Sequence, residues 1–246
     1  MNNFSNTRPD SFPPIVKNLV IINGLVYLAQ LLLEKQFALT EKLMLWPVMP
    51  ERLHDFLIQK KFIDESQSFH PYQVVTHMFA HAPPPSFFHI IFNMFMLWMF
   101  GRVLENVWGG KRFLFFYLVC GLGAAALHLA IQYFRCEQLL QAVDQDNGVL
   151  FQDRFGAVAG ALGASGAIMG VMVAFAYLFP NTELMIIPIP IPIKAKWLVA
   201  AYVLIDLFLG IGNVGDKIAH FAHLGGAITG FLIVFYWNKT NRKTLY

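Results

Sequence analysis

The stretch "GALGASGAIMG", Gly160–Gly170, places one serine, Ser165, among glycines and alanines at the start of an apolar segment. That segment runs to Phe179, just before Pro180, and its 15 residues would rise about 22 Å as a helix, against a hydrocarbon thickness of roughly 30 Å. We therefore expect Ser165 to lie below a membrane surface. The glycine-rich backbone before it must then be packed in protein or line a watery cavity.

The composition of the whole chain agrees with a membrane location. Of the 246 residues, 57% are hydrophobic and only 13% are charged, about half the charged share usual in soluble domains. A polar surface cannot cover such a chain in water, so lipid is its natural solvent. The net charge of +3 gives no indication of nucleic-acid binding. Six apolar segments predict an all-α, polytopic membrane bundle with spans at about 15–33, 87–104, 113–134, 165–179, 196–212 and 220–237.

The segments predict a single membrane domain over residues 15–246 that follows a short tail, residues 1–14. The tail lacks the basic-then-apolar order of a cleaved signal peptide, so the first span is expected to be retained. The long first loop, residues 34–86, contains short helical patterns such as "PERLHDFLIQKKF" and is expected to pack against the membrane face. Cys120 and Cys136, about 24 Å apart along a helix, are not expected to form a disulfide.

The orientation follows from the lysine and arginine residues of the short connections and termini. Ten of these residues would lie on one side of the membrane. Three would lie on the other side when the long first loop is left out of the count. Both termini are therefore expected to be cytoplasmic. The ten are Arg8, Lys17, Arg102, Lys111, Arg112, Lys194, Lys196, Lys239, Arg242 and Lys243, and the three are Arg135, Arg154 and Lys217.

Polar residues cluster where spans 2, 4 and 6 begin, all on the outer side. They are His89 and Asn93 in span 2, Ser165 in span 4, and His220 and His223 in span 6. Polar groups at membrane depth usually face the bundle interior or a water cavity and indicate function. Because three distant segments place them at a similar depth, we expect these side chains to converge.

A serine hydroxyl becomes a strong nucleophile when a neighbouring base accepts its proton, and His223 is the best candidate base. Ala222, Gly226 and Gly230 form a stripe of small residues that would let span 6 approach span 4 closely. His223 would then lie one turn outward of Gly226, near Ser165.

Attack on a carbonyl also needs donors for the developing oxyanion. His89 and Asn93, four residues apart, share a helix face. The backbone N–H of Ser165, at a helix N-terminus, adds a third donor and a favourable dipole.

The pieces "HIIFN" in span 2, "GASG" in span 4 and "AHFAHLGG" in span 6 together resemble the rhomboid family of intramembrane serine proteases. The resemblance implies that Ser165 is the nucleophile, that His223 is its base, and that His89 and Asn93 contribute to the oxyanion site. Gly163 falls on the first glycine of the GxSG motif. Three further glycines are expected to support the site: Gly166, Gly226 and Gly230.

The family resemblance further implies a Ser–His dyad without cofactor or metal. This dyad would cleave transmembrane helices of membrane-protein substrates near their outer ends, in a bacterial inner or plasma membrane. Two departures from the family pattern stand out. Pro71–Gln73 replaces a tryptophan–arginine pair common in the first loop, and Met169 replaces a tyrosine that often stacks on the catalytic histidine. Because the family works as a dyad, Asp206 in span 5 is not expected to take part in catalysis.

Two other functions remain open from the residues alone. One is a catalytically weak relative that binds membrane clients without cutting them. The other is a metal enzyme, which is disfavoured because no HExxH motif or carboxylate-rich companion accompanies the histidines. Its candidate ligands are His77, His81, His89, His220 and His223.

Overall fold

A computed structural model of the protein describes residues 9–186, 189–211 and 220–240. Helices dominate these residues, together with one short antiparallel hairpin. The helices are α1 (Pro14–Phe37), α2 (Leu39–Leu43), α3 (Glu51–Gln59), α4 (Gln73–Thr76), α5 (Phe87–Trp108), α6 (Gly110–Asp144), α7 (Gly148–Gly156), α8 (Ser165–Leu178), α9 (Ala195–Ile211) and α10 (His220–Thr240), and the strands are β1 (Glu183–Ile186) and β2 (Ile189–Lys194).

The all-α membrane bundle predicted from the sequence is confirmed. Within the described residues, α1, α5, α6 and α10 are each long and apolar enough to cross a membrane. The apolar helix α8 is shorter, with 14 residues, and α9 has 17. Large apolar side chains such as Phe88, Phe208 and Tyr236 point outward, as expected where lipid replaces water as the solvent. The protein is therefore a multi-pass membrane protein.

Helix α8 lies at the centre of the bundle, and most of its residues are buried. Its glycine-lined face packs directly against α10. A Cβ atom built at Gly226 would overlap the carbonyl oxygen of Gly166, and one at Gly230 would lie 2.6 Å from Cα of Gly170. The small-residue stripe expected on span 6 thus brings the two backbones together, because any side chain at these positions would force them apart.

The two ends of the bundle differ in character. At one end, the carboxylate of Glu105 accepts the backbone N–H groups of Ile15 and Val16, at 2.9 and 2.8 Å. At the same end Trp108 packs against Trp237, with ring centroids 5.3 Å apart. The start of α1, the end of α5 and the end of α10 therefore share one face. The beginnings of α5, α8 and α10, which carry the predicted site, lie at the opposite end.

Two of the features that the span prediction omits are an extension of α6 and a hairpin. Helix α6 continues ten residues past the predicted end at residue 134. This extension forms a second small core with α3, built on Leu53, Leu57, Cys136 and Leu139. The other feature is the β1–β2 hairpin, which pairs Glu183 with Lys194 between α8 and α9.

The helices otherwise lie close to the predicted spans, whose exact limits in a membrane remain predictions. The helical pattern of the first loop coincides with α3. Cys120 and Cys136 are buried free thiols, in agreement with the absence of a disulfide between them. Some predictions fall outside the described residues: residues 1–8 of the tail with Arg8, the last residue of span 5 at position 212, Lys217, Arg242 and Lys243.

Candidate functional site

An irregular segment, residues 157–164, leads into α8, and neighbouring elements satisfy its backbone. Leu45 and Ala161 exchange two backbone hydrogen bonds, at 2.8 and 2.9 Å, and Gly163 N–H donates to the carbonyl of His77 at 2.8 Å. Buried backbone polar groups require such partners. The first loop therefore holds this segment in place, and Ser165 follows it as the first residue of α8.

The hydroxyl of Ser165 lies 2.7 Å from Nε2 of His223. Ser165 is half-buried, and His223 is 8% exposed. The serine stands on the first turn of α8 and the histidine on the first turns of α10, so the glycine contact between these helices determines their separation. This distance lies within the hydrogen-bonding range required of a nucleophile and its base.

The ring of His89 lies next to Gly163, two residues before Ser165. Gly163 has a φ of +121°, a conformation that glycine adopts readily and other residues do not. A Cβ atom at this position would lie 2.9 Å from Cε1 and 3.0 Å from Nε2 of His89. The Nδ1 atom of His89 accepts the backbone N–H of Ala82 at 3.1 Å. A ring that accepts at Nδ1 carries its hydrogen on Nε2, so His89 offers a donor beside Ser165.

Asn93 lies one turn beyond His89 on α5. Its side-chain amide donates to the carbonyl of His89 at 2.7 Å, and Asn93 itself is buried. The amide has a second N–H group, and the residue lines the same cavity as Ser165. The predicted convergence of His89, Asn93, Ser165 and His223 is therefore present in the structure.

Asp206, which the sequence did not lead us to expect in catalysis, lies in contact with His223. Its Oδ2 atom lies 2.8 Å from Nδ1 of His223, on the side of the ring opposite Ser165. Its Oδ1 atom lies 2.6 Å from Nδ1 of His220. A carboxylate such as Asp206 within an apolar helix needs a polar partner, and such residues usually mark function. That signal could have identified it.

A cavity of about 970 Å³ opens onto these residues. Its walls combine the beginnings of α5, α8 and α10 with the first loop and the segment before α8. Most of the surrounding side chains are apolar, as in sites that bind apolar ligands. They include Met44, Trp46, Met49, Phe62, Phe88, Phe92, Met96, Phe155, Val158, Ile168, Met169 and Met172.

Met169 and the Pro71–Gln73 segment, the two departures from the family pattern, both contribute buried residues near the site. Met169 is buried and lines the cavity one turn after Ser165. Gln73, the last residue of the Pro71–Gln73 segment, is fully buried. Its amide nitrogen lies within hydrogen-bonding distance of the carbonyls of Lys42 and Ser68, at 3.3 and 3.2 Å. Gln73 therefore braces the first loop, which in turn holds the backbone before Ser165.

The five histidines proposed as metal ligands do not form one cluster. His77 lies in the first loop, where burial lowers its pKa to about 4 and its ring is therefore neutral at physiological pH. Among the residues that the structure describes, one group of three could hold a metal ion by ligand spacing, namely Asp206, His220 and His223. This is the same hydrogen-bonded group that contacts Ser165 through His223.

Comparison with known proteins identifies the family. The model of the Rhomboid domain matches residues 68–239, more than two thirds of the chain, and this range contains His89, Asn93, Ser165, Asp206 and His223. The chain belongs to the rhomboid family. This membership confirms the resemblance found in the three sequence motifs.

Three rhomboid relatives illustrate the similarity. Rhomboid protein 1, mitochondrial, of Saccharomyces cerevisiae is 26% identical over 76% of this chain and 46% of its own length. Presenilin-associated rhomboid-like protein, mitochondrial, of Homo sapiens is 32% identical over 65% of this chain and 38% of its own length. Rhomboid protease AarA of Providencia stuartii is 28% identical over 59% of this chain and 49% of its own length. The matches thus span less than half the length of each relative.

Proposed function

We propose that the protein is an intramembrane serine endopeptidase that cleaves transmembrane helices of membrane-protein substrates. The observation that carries the proposal is the 2.7 Å contact between Ser165 Oγ and His223 Nε2 beside an apolar cavity. Membership of a family that includes the protease AarA supports the same reaction. Because the cavity lies among membrane helices, a substrate helix must unwind locally to present a carbonyl group there.

The geometry supports a two-stage hydrolysis. Ser165 Oγ attacks the scissile carbonyl carbon while His223 Nε2 accepts the hydroxyl proton. His223 then gives this proton to the leaving amine as the peptide bond breaks, which leaves an ester on Ser165. A water molecule, deprotonated by His223, attacks the ester carbon; the ester bond then breaks, His223 returns the proton to Ser165 Oγ, and the second product leaves as a carboxylic acid. The nucleophile is Ser165, the base is His223 and the second nucleophile is water, so the proposed reaction requires no cofactor.

The oxyanion formed in both stages requires donors placed in advance. We assign this role to His89 Nε2–H, to the second amide N–H of Asn93 and to the backbone N–H of Ser165 in the first turn of α8. The backbone N–H groups of a helix N-terminus have no partner within the helix and form the positive end of its dipole. Gly163 permits the approach of His89, and Gly166, Gly226 and Gly230 permit the approach of α10.

We also propose that the protein resides in a cell membrane, the bacterial inner or plasma membrane, with both termini cytoplasmic. The excess of lysine and arginine at one end of the bundle supports this orientation. Ser165 then lies toward the outer leaflet, so cleavage falls near the outer ends of substrate helices.

The test is cleavage of a model transmembrane substrate by purified protein in liposomes. We expect the Ser165→Ala variant to bind the substrate and to unfold at the wild-type temperature but to yield no product. Ser11→Ala, at an exposed serine near α1, is the matched control and should cleave normally. Retained cleavage by Ser165→Ala would contradict the proposal. A wild-type protein that binds the substrate without cutting it would favour the client-binding alternative, and loss of cleavage with a chelator would favour a metal site.

A further inference from the structure

Asp206 is a buried carboxylate on α9, a helix that buries few of its other side chains. The buried residues of α9 are Ala195, Val199, Asp206 and Gly210, so Asp206 is its one buried ionisable side chain within the described residues. A charged group in such surroundings is costly unless it is paired and hydrogen-bonded. The position of Asp206 is therefore determined by the partners that its carboxylate finds on α10.

Those partners are two histidines one turn apart. His220 and His223 are three residues apart on α10 and present their Nδ1 atoms to the same carboxylate. Each oxygen of Asp206 engages one ring, at 2.6 Å for His220 and 2.8 Å for His223. The contact between His220 and Oδ1 fixes the orientation of the Asp206 carboxylate, so that Oδ2 is directed at His223.

The carboxylate determines which nitrogen of His223 carries the hydrogen. An ionised carboxylate only accepts hydrogen bonds, so Nδ1 of His223 must donate. The neutral ring then has its lone pair on Nε2, the atom 2.7 Å from Ser165 Oγ. The same carboxylate also stabilises the positive ring that forms when His223 takes the serine proton.

We propose that Asp206 is a positioning residue of this site, which holds His223 in the tautomer and orientation that let it act as a base, with His220 holding the carboxylate. The inference rests on the proposed function and changes its dyad into a chain of four side chains: Ser165, His223, Asp206 and His220. Asp206 touches no substrate and acts only through His223.

The kinetic test replaces the carboxylate by an amide of the same shape. In Asp206→Asn we expect kcat to fall about 10²- to 10⁴-fold, with KM within about threefold of wild type because substrate binding is untouched. Asp206→Glu restores the carboxylate and should recover part of the lost rate. The matched control is Glu105→Gln, a buried carboxylate at the opposite end of the bundle, which should lower the unfolding temperature while kcat stays unchanged.

A second measurement does not depend on turnover. Nitrogen NMR of protein labelled with ¹⁵N-histidine reports the tautomer of each ring, and the His223 signals are assigned by their loss in His223→Gln. We expect His223 to be protonated on Nδ1 in the wild type and to lose this preference in Asp206→Asn. A wild-type His223 protonated on Nε2 would overturn the inference, even if Asp206→Asn failed to fold.

The two proposals fail in different ways. Wild-type kcat in Asp206→Asn, or an equal loss of kcat in Glu105→Gln, would overturn the role of Asp206 and leave the protease intact. A wild-type protein that never cleaves would overturn the proposed function, whereas the histidine tautomer would still decide whether Asp206 positions His223.

Discussion

At the scale of single residues, the two histidines beside Ser165 carry their hydrogens on opposite ring nitrogens. His89 accepts the Ala82 N–H at Nδ1 and therefore donates from Nε2. His223 contacts Asp206 through Nδ1 and therefore accepts at Nε2. Two histidines near Ser165 thus have opposite hydrogen-bonding capacity at Nε2, and this difference underlies the separate roles proposed for them.

The separate roles predict unequal losses of activity. Replacing His223 by alanine removes the base that acts as a unit with its nucleophile, so His223→Ala should be almost inactive. His89→Ala and Asn93→Ala each remove one oxyanion donor and should slow cleavage about 10²- to 10³-fold. Rates of the three purified variants on one transmembrane substrate test this order. If His223→Ala kept most of its activity while His89→Ala lost all of it, the base would be His89.

At the scale of helices, the contact between α8 and α10 determines where Ser165 meets His223. The Gly166 carbonyl occupies the space that a side chain at Gly226 would need. Ser165 precedes Gly166 by one residue, and His223 lies one turn before Gly226. A displacement of either helix along this contact is therefore transmitted directly to the Ser165–His223 distance.

One added methyl group tests that contact. Gly226→Ala should destabilise the folded protein by about 1–3 kcal/mol through overpacking and should reduce cleavage because α10 moves away from α8. Gly24→Ala on α1 is the matched control, since no atom lies within 4 Å of a Cβ built there. Thermal unfolding in detergent and cleavage rates are measured on both variants. Equal behaviour of the two variants would show that the close approach is not required.

The helices were predictable from the sequence to different degrees. Apolar composition and length reveal helices that face lipid, so the spans around α1, α5 and α10 could be located. The end of α6 could not, because its last ten residues leave the apolar pattern and gain their stability by packing Cys136 and Leu139 against Leu53 and Leu57 of α3. Such contacts link residues about 80 positions apart, and local pattern carries no information about them.

At the scale of the whole molecule, the site is assembled from three regions distant in the chain. The beginnings of α5, α8 and α10 supply the polar side chains, and the first loop holds the backbone that precedes Ser165 through Leu45 and His77. Polarity at three span ends made this convergence predictable. The contacts of Asp206 were not predicted, because they depend on how α9 is rotated against α10, which sequence spacing does not specify.

Labelling with a fluorophosphonate shows whether Ser165 is a nucleophile that His223 activates. The probe reacts covalently with an activated serine, and peptide mapping by mass spectrometry then locates the adduct. We predict a single adduct on Ser165 in the wild-type protein and none in His223→Ala. An adduct on any other residue, or none on a preparation that cleaves its substrate, would contradict the proposed role of Ser165.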